Sequence, residues 1–265
     1  MGLFDDLAKK HSYQSFTGGT LSICIPTITR LDLLSESLID ISNYWSKDLT
    51  KLLIVDNGKQ GVMGHIPESI KPITTVYEEQ NNLGVAQSWN KMIYHSLHTF
   101  PTVDHILILN DDIVLGKSPE TIFKLIEENP DYSIINANYF WASFLLSRHC
   151  VETIGYFDEN FYPAYFEDND YSRRENLSIG KRVMNETLDP VVKRASQTIL
   201  KDRHLNGNFG NNAQYYQQKW GGPPDHERFR FPFNKPVENS HILEGNKGFY
   251  HPFNQNPAVR DDFNA

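Results

Sequence analysis

The chain has 265 residues, which is long enough for one sizeable α/β domain that carries an appendage. Hydrophobic residues make up 39% of it and charged residues 22%, so a packed core is expected and wholesale disorder is not. The formal net charge is −8 and no block of lysine and arginine stands out, which argues against a nucleic-acid partner.

The cysteines and the hydropathy pattern bear on where the protein works. Cys24 and Cys150 are too few for a disulfide framework and fit no zinc spacing, so the chain suits a reducing compartment. No run of about 20 apolar residues is present, and residues 1–19 lack the apolar core of a signal peptide. We therefore expect a cytoplasmic protein without an integral membrane segment, and peripheral association with a membrane stays open.

Apolar runs and helical patterns alternate through the first half of the chain. Short apolar runs predict buried strands at 21–26, 52–55, 73–77, 105–109 and 132–137. Helical periodicity predicts helices between these strands, at 34–45, at 85–97 and from Pro119 to about residue 129. This alternation predicts a mostly parallel central sheet with helices on both faces.

The second half is less regular. Residues 144–146 are a candidate strand, 148–154 a short helix ended by Gly155, and a further helix is expected through Asn176. Beyond Gly180 the pattern weakens, with helices expected at 196–202 and 213–219. We divide the chain into an N-terminal extension (1–19), a single domain (20–220) and an extended C-terminal arm (221–265) that is rich in Pro, Asn, Phe and Gly.

Three polar residues, Asn110, Asp111 and Asp112, directly follow the fourth predicted strand. Adjacent carboxylates repel each other unless a cation offsets the charge, and Mg²⁺ or Mn²⁺ bound through oxygen atoms would do so. The alternative is an Asx turn that caps the next loop. Asp56 ends the second predicted strand, and since ligands bind at the carboxyl ends of parallel strands, we expect both groups near one crevice.

Other polar groups allow two interpretations each. Asp56 and Asn57 either hydrogen-bond a base or ribose, or form a turn. Glu167, Asp168 and Asp170 form an acidic group. In one interpretation Asp168 acts as a general base, and burial raises its pKa. In the other, the three acids lie at a helix N-terminus, where the helix dipole favours negative charge.

His204 lies in a polar stretch rich in Gly and Asn, and is a metal or phosphate ligand or a surface residue. The sequence contains no GxGxxG, GxxxxGK[ST] or GxSxG motif. The sequence therefore lacks the main motifs of dinucleotide-binding proteins, P-loop proteins and serine hydrolases.

Taken together, the chain resembles glycosyltransferase family 2 and its relatives of the GT-A fold. The resemblance rests on five segments in the expected order, including a DxD-type metal motif: 25–30, 54–58, 82–90, 108–113 and 155–173. The resemblance covers roughly residues 20–175. It implies that the domain at 20–220 is divided into a donor-nucleotide half (20–115) and an acceptor half (116–220). Asn110 stands where many relatives have another aspartate.

The resemblance implies a metal-dependent, inverting transfer of a hexosyl or deoxyhexosyl group from a UDP-, GDP- or dTDP-sugar to a hydroxyl of a glycan or glycoprotein. It implies Mn²⁺ or Mg²⁺ as cofactor, held by Asp112 and His204, and Asp168 as the catalytic base. The residues that it implies for donor binding are Pro26, Thr27, Arg30, Asp56, Asn57, Asn82, Gly84, Asn90, Asn110 and Asp111.

Two other functions compete with this one. A sugar-nucleotide nucleotidyltransferase would need a basic loop after Pro26, which here holds only Arg30. A catalytically inactive GT-A module that binds glycans is the other alternative. Several aromatic residues either stack on sugar faces or pack in the core, namely Phe157, Phe161, Tyr162, Tyr165, Phe166 and Trp220.

Overall fold

The computed structural model describes residues 21–45, 49, 51–116, 119–137, 140–185 and 207–230. Its strands are β1 (Leu21–Thr27), β2 (Lys51–Asp56), β3 (Thr74–Glu78), β4 (His105–Leu109), β5 (Ile134–Ala137), β6 (Ser143–Ser147) and β7 (Arg182–Asn185). Its α-helices are α1 (Leu31–Tyr44), α2 (Gly84–His98), α3 (Pro119–Glu128), α4 (Arg148–Ile154), α5 (Glu167–Ser178) and α6 (Phe209–Trp220). His204 and the predicted helix at 196–202 lie outside the described residues.

The strands form one sheet in the order β3-β2-β1-β4-β6-β5-β7. Strand β6 is antiparallel to β4 and β5, and the other pairings are parallel. The predicted mostly parallel sheet is therefore confirmed, including the candidate strand at 144–146. The direction of β6 and the existence of β7 were not predicted.

Alternating side chains of β1 pack on opposite faces of the sheet. Ile23 and Ile25 join one apolar cluster with Leu34 of α1, whereas Cys24 joins a second cluster with Trp89 of α2. Because a strand directs successive side chains to opposite faces, these clusters show that apolar layers cover both sides. The predicted helices on both faces are confirmed.

The carboxyl ends of the parallel strands form one edge of the sheet, which we call the carboxyl edge. There Thr27 of β1 lies beside Asp56 of β2. Strand β6 runs the other way, so Ser143 pairs with Leu109 at this edge and Ser147 pairs with His105 at the opposite one. Helix α4 follows β6 directly and therefore begins away from the carboxyl edge.

The loop after α4 brings the chain back to the carboxyl edge. The amide of Val85, in the first turn of α2, donates to the carbonyl of Pro163 at 2.7 Å. Helix α5 begins four residues after this contact, and the chain then enters β7, which runs parallel to β5. The first residues of α5, Glu167 and Asp168, consequently lie at the same edge as Asp56.

The start of the predicted arm packs against the last helix. The carbonyl of Trp220, the last residue of α6, accepts hydrogen bonds from the amides of Arg228 and Phe229. The guanidinium of Arg173 donates to the carbonyl of Phe229 at 3.0 Å. Residues 221–230 are thus tied to α5 and α6, and residues 231–265 lie outside the described part.

Candidate active site

The loop after β4 presents two carboxylates at the carboxyl edge. The amide of Ile113 donates to the carbonyl of Asn110 at 3.2 Å, which closes a turn around Asp111 and Asp112. The hydroxyl of Ser37 in α1 donates to the carbonyl of Ile113 at 2.6 Å. The side chains of Asp111 and Asp112 are only 5% and 3% exposed, so their charges are poorly hydrated.

Helix α1 also holds the second half of this loop. The carboxylate of Asp40 accepts hydrogen bonds from the amides of Leu115 and Gly116, at 3.2 and 3.0 Å. Burial raises the pKa of Asp40, and these two amides partly oppose the rise. The indole of Trp45 donates to the carbonyl of Gly116 at 3.2 Å. The position of the carboxylates therefore depends on a helix more than seventy residues away in sequence.

A chain of hydrogen bonds joins the ends of β1, β2 and β4. The hydroxyl of Thr27 donates to Asp111 Oδ2 at 2.8 Å and accepts from Gln60 Nε2 at 3.0 Å. Asp56, which is fully buried, accepts from the amides of Gly58 and Gln60 at 3.0 and 2.7 Å. The structure thus brings Thr27, Asp56 and Asp111 together as predicted, and adds Gln60, which was not predicted.

Pro26 and Arg30 flank this group. Pro26 is half-buried in β1 and lies beside Val55 of β2. The guanidinium of Arg30 makes two hydrogen bonds of 2.8 Å to Asp32. These bonds raise the pKa of Arg30, and the charge of Asp111, among other neighbouring carboxylates, raises it further. A cationic group therefore lies within electrostatic reach of the carboxylates after β4.

Asn57 connects the end of β2 to the start of α2. Its amide nitrogen donates to the hydroxyl of Ser88 at 2.9 Å, and its carbonyl oxygen accepts from the amide of Leu83 at 2.9 Å. Asn82 in turn accepts from the amide of Gly84 at 2.8 Å. Asn57 and Asn82 therefore shape the loop before α2.

Gly84 permits a close approach between α2 and the loop before α5. Its φ is +76°, and a β-carbon there would lie 2.7 Å from the carbonyl oxygen of Pro163 and 2.9 Å from a ring carbon of Tyr162. Left-handed backbone and close contact are both tolerated by glycine and penalised in other residues. This glycine therefore serves packing between the two predicted halves of the site.

We expect Gly84→Ala to lower the free energy of unfolding by about 2 kcal/mol, because the new methyl group meets backbone atoms that cannot move aside. Chemical denaturation measures this loss. Gly64→Ala is the matched control, since a β-carbon at Gly64 would meet no heavy atom within 4 Å among the described residues, its local backbone apart. Equal stability of the two variants would contradict the packing role of Gly84.

Asn90 is buried in the middle of α2 and holds the turn after Gly155. Its side-chain oxygen accepts from the amide of Phe157 at 2.8 Å, and its nitrogen donates to the carbonyl of Phe157 at 2.9 Å. The same nitrogen donates to Glu159 at 2.8 Å. These bonds leave the side chain committed to the protein interior, so the structure supports a positioning role for Asn90.

The acidic residues at the start of α5 follow a strained backbone. Tyr165 and Phe166 have φ values of +80° and +73°, a region that bulky residues seldom adopt. Burial raises the pKa of Glu167 and of Asp168, and the charge of Asp168 raises the pKa of Glu167 further. Among the residues that the structure describes, Glu167 Oε2 is buried without a hydrogen-bond partner. Such strain and desolvation are typical of functional sites.

Asp170 separates from the other two acids. Its carboxylate accepts hydrogen bonds from Arg174 at 2.9 Å and from the indole of Trp220 at 2.8 Å, and it lies 2.6 Å from Lys219 Nζ. Lys219 also donates to Asp158 at 2.7 Å. Asp170 therefore belongs to a buried ion network that connects α5 to α6. The candidate active site contains Glu167 and Asp168 but not Asp170.

The prediction that aromatic residues stack on sugar rings is wrong for three of them. Phe157, Phe161 and Trp220 are buried and pack in the apolar core, so they offer no ring face to a ligand. Tyr162 is 38% exposed. Phe209, at the start of α6, was not predicted. It is 50% exposed and contacts the rings of two residues directly before Glu167, namely Tyr165 and Phe166.

The described part of the chain has no group of three or more His, Cys, Asp or Glu side chains that could hold a metal ion. Asp111 and Asp112 nevertheless supply hard, poorly hydrated carboxylate oxygens at a strand end. This donor set fits Mg²⁺ or Mn²⁺, which bind a few protein carboxylates and complete their shell with phosphate and water oxygens. In the same ranges, no helix is long and apolar enough to cross a membrane.

Comparison with known proteins gives a partial match in sequence. A stretch of 97 residues is 33% identical to a galactofuranosyl glycosyltransferase of Leishmania donovani, and it takes in 36% of this chain and 22% of that protein. The chain thus spans about a fifth of the length of this curated relative. No family model matches the chain.

Solved structures match over more of the chain. The mannosyltransferase PcManGT from Pyrobaculum calidifontis, in complex with GDP-Man and Mn²⁺, is 14% identical with a TM-score of 0.52, over 79% of this chain and 69% of that one. S. aureus TarS is 12% identical with a TM-score of 0.50, over 63% of this chain and 35% of that one. The chain therefore has the GT-A-like fold of these structures and is similar in sequence to a glycosyltransferase.

Proposed function

We propose that this protein is a metal-dependent, inverting glycosyltransferase that uses a nucleotide sugar as donor. One observation carries the proposal: two pairs of acids, Asp111 with Asp112 and Glu167 with Asp168, lie at the same edge of a GT-A-like sheet, and all of them but the partly buried Asp168 are buried. The first pair suits a cation and the second suits a proton transfer, which are the two requirements of this reaction.

On the donor side, Asp111 and Asp112 would hold a divalent ion. When bound, such an ion neutralises the leaving nucleoside diphosphate. The structural neighbour PcManGT was solved with a nucleotide sugar and Mn²⁺, which supports this assignment. Arg30 lies close enough to add a positive charge for the phosphates. Because Asp56 shapes the loop up to Gln60, it contributes to the nucleoside end of the site.

In the reaction, an acceptor hydroxyl attacks the anomeric carbon of the donor sugar. The new carbon–oxygen bond forms as the bond to the diphosphate breaks on the opposite face, and the hydroxyl proton moves to the carboxylate of Asp168. Burial of Asp168 raises its pKa, which makes it a better proton acceptor than an exposed aspartate. Attack from the opposite face inverts the anomeric configuration.

For the acceptor, the exposed rings beside these acids suggest a glycan. Tyr162 and Phe209 are exposed, and the side-chain amide of Asn208 donates to the carbonyl of Tyr162 at 3.1 Å. The apolar C–H face of a sugar ring packs on aromatic rings, while its hydroxyl groups need polar partners nearby. This surface therefore suits a carbohydrate that presents its hydroxyl to Asp168.

We expect a nucleoside diphosphate sugar to raise the melting temperature of the protein in the presence of Mn²⁺, and Asp112→Asn to abolish most of this rise. A ligand at 100 times its Kd stabilises the folded state by about 2.7 kcal/mol. A thermal-shift series of UDP-, GDP- and dTDP-sugars, each with Mn²⁺ or with chelator, measures the effect.

Asp131→Asn is the matched control, because Asp131 is exposed and pairs only with Lys181 at the surface among the described residues. If none of the three nucleotide classes changed the melting temperature, the proposal of a nucleotide-sugar donor would be contradicted. A shift of equal size in Asp112→Asn and Asp131→Asn would instead remove Asp112 from the metal site. Hydrolysis of the stabilising sugar nucleotide would further separate an enzyme from a module that only binds.

A further inference from the structure

Resting on the proposed function, we propose that Gln60 is a positioning residue that sets the carboxylate of Asp111 through the hydroxyl of Thr27. Gln60 lies at the end of the loop after β2, and Asp111 lies after β4. A single hydroxyl connects them, with Gln60 Nε2 at 3.0 Å and Asp111 Oδ2 at 2.8 Å from Thr27 Oγ1. The nucleoside end of the site is thereby linked to its metal end.

The orientation of the Gln60 amide follows from its surroundings. Its nitrogen lies 3.5 Å from Asp56 Oδ1 as well as 3.0 Å from the hydroxyl of Thr27. A reversed amide would place its oxygen against the Asp56 carboxylate, which has no proton to donate when ionised. The nitrogen of Gln60 therefore faces both groups and donates.

This orientation decides the direction of the hydroxyl proton. A threonine hydroxyl has one proton and can also accept. Because Thr27 accepts from Gln60, its own proton is left for Asp111 Oδ2. Each bond in the series strengthens the next by polarising it. The series therefore orients Asp111 Oδ2 toward Thr27 before any ligand binds.

The loop itself keeps Gln60 in place. Its backbone amide donates to Asp56 Oδ2 at 2.7 Å, and the amide of Gly58 donates to Asp56 Oδ1 at 3.0 Å. Asp56 is fully buried, so its two oxygens serve first as anchors for this loop. A nucleoside that contacts this loop would therefore also affect the position of the Asp111 carboxylate, through Gln60 and Thr27.

Gln60→Met removes the amide and keeps the length of the side chain. We expect it to weaken binding of the preferred nucleoside diphosphate by about tenfold with Mn²⁺, and by less than about twofold with chelator. Isothermal titration with UDP, GDP and dTDP gives both constants. Gln80→Met is the matched control, because Gln80 is an exposed glutamine whose side chain accepts from Lys59.

Thr27→Val, Thr27→Ser and the double variant Gln60→Met with Thr27→Val complete the test. If the two residues act in series, the double variant binds no more weakly than Thr27→Val alone. Thr27→Ser keeps the hydroxyl and should bind more tightly than Thr27→Val, a comparison that holds even if Gln60→Met does not fold.

The outcomes separate two failures. Equal Mn²⁺-dependent binding by Gln60→Met and the unaltered chain, or additive losses in the double variant, would overturn the positioning role alone. A defect in Gln60→Met that is equally large with chelator would also overturn it, since the loss would then concern the nucleoside. Absence of nucleotide binding by the unaltered chain would overturn the proposed function and this inference together.

Discussion

Asp168→Asn is expected to lower the rate of sugar transfer by about 10²–10⁴-fold, the usual contribution of a positioned general base. Asparagine keeps the shape of the side chain and its hydrogen bond from the amide of Asn169, but it cannot take up the acceptor proton. The donor site is untouched, so the thermal shift by nucleotide sugar and Mn²⁺ should persist.

The pH dependence of the rate provides a second test of the same base. Burial raises the pKa of Asp168, and the base works only when deprotonated. The rate should therefore fall as the pH drops through a pKa above the usual range of an aspartate. Asp168→Asn should remove this acidic limb, because no carboxylate is left at that position to take up a proton.

Glu167→Gln is the informative comparison for Asp168→Asn. The charge of Asp168 contributes to the raised pKa of Glu167, and the two groups lie side by side at the start of α5. We expect Glu167→Gln to keep an acidic limb and to lose far less activity. Near-normal turnover in a folded Asp168→Asn variant would refute the assignment, and a large loss confined to Glu167→Gln would transfer the role to Glu167.

Much of the fold could be predicted because the central strands are continuous apolar runs. In β1, β2 and β4 nearly every residue is buried, which is typical of a sheet covered on both faces. The direction of β6 could not be predicted, since a short apolar run has the same pattern in either direction. Strand β7 was missed because Arg182–Asn185 lies at the edge of the sheet and carries polar residues.

The strand-end residues of the site could be predicted for a related reason. Parallel strands bring their carboxyl ends to one edge, so the strand pattern alone predicts that Asp56 and Asp111 lie near each other. Gln60 carried no such signal, because its role depends on how the loop after Asp56 folds back. Asp170 could have been separated from Asp168, since two residues on a helix point about 200° apart and Asp170 pairs with Arg174 at the i,i+4 spacing.

The second large effect is expected in the buried ion network, where Lys219→Met should lower the free energy of unfolding by about 3–5 kcal/mol. Lys219 is only 1% exposed and lies 2.7 Å from Asp158 and 2.6 Å from Asp170. Methionine fills a similar volume, so the loss comes from removing the buried cation that Asp158 and Asp170 share, which leaves Asp170 with Arg174 alone. Urea denaturation at neutral pH measures it.

Lys181→Met is the control for the same substitution at the surface. Lys181 pairs with Asp131, and both side chains are at least half exposed, so the change should stay within about 0.5 kcal/mol. If Lys219→Met were as stable as Lys181→Met, the network would contribute nothing measurable. That result would also leave the attachment of α6 to α5 to apolar packing and to the hydrogen bond from Trp220 to Asp170.

Acid should reduce the difference between Lys219→Met and the unaltered chain. Burial alone would raise the pKa of Asp170, but Lys219 and Arg174 overcome this and hold it below the usual range. The stability that this carboxylate provides is present above its unfolded pKa and is lost as the pH falls through its folded pKa. Without Lys219, protonation of Asp170 relieves the part of its charge that Arg174 does not offset. Denaturation at pH 7 and at about pH 4 should therefore show a smaller deficit in acid, and a deficit that grows in acid would mean that the cation does not act through Asp170.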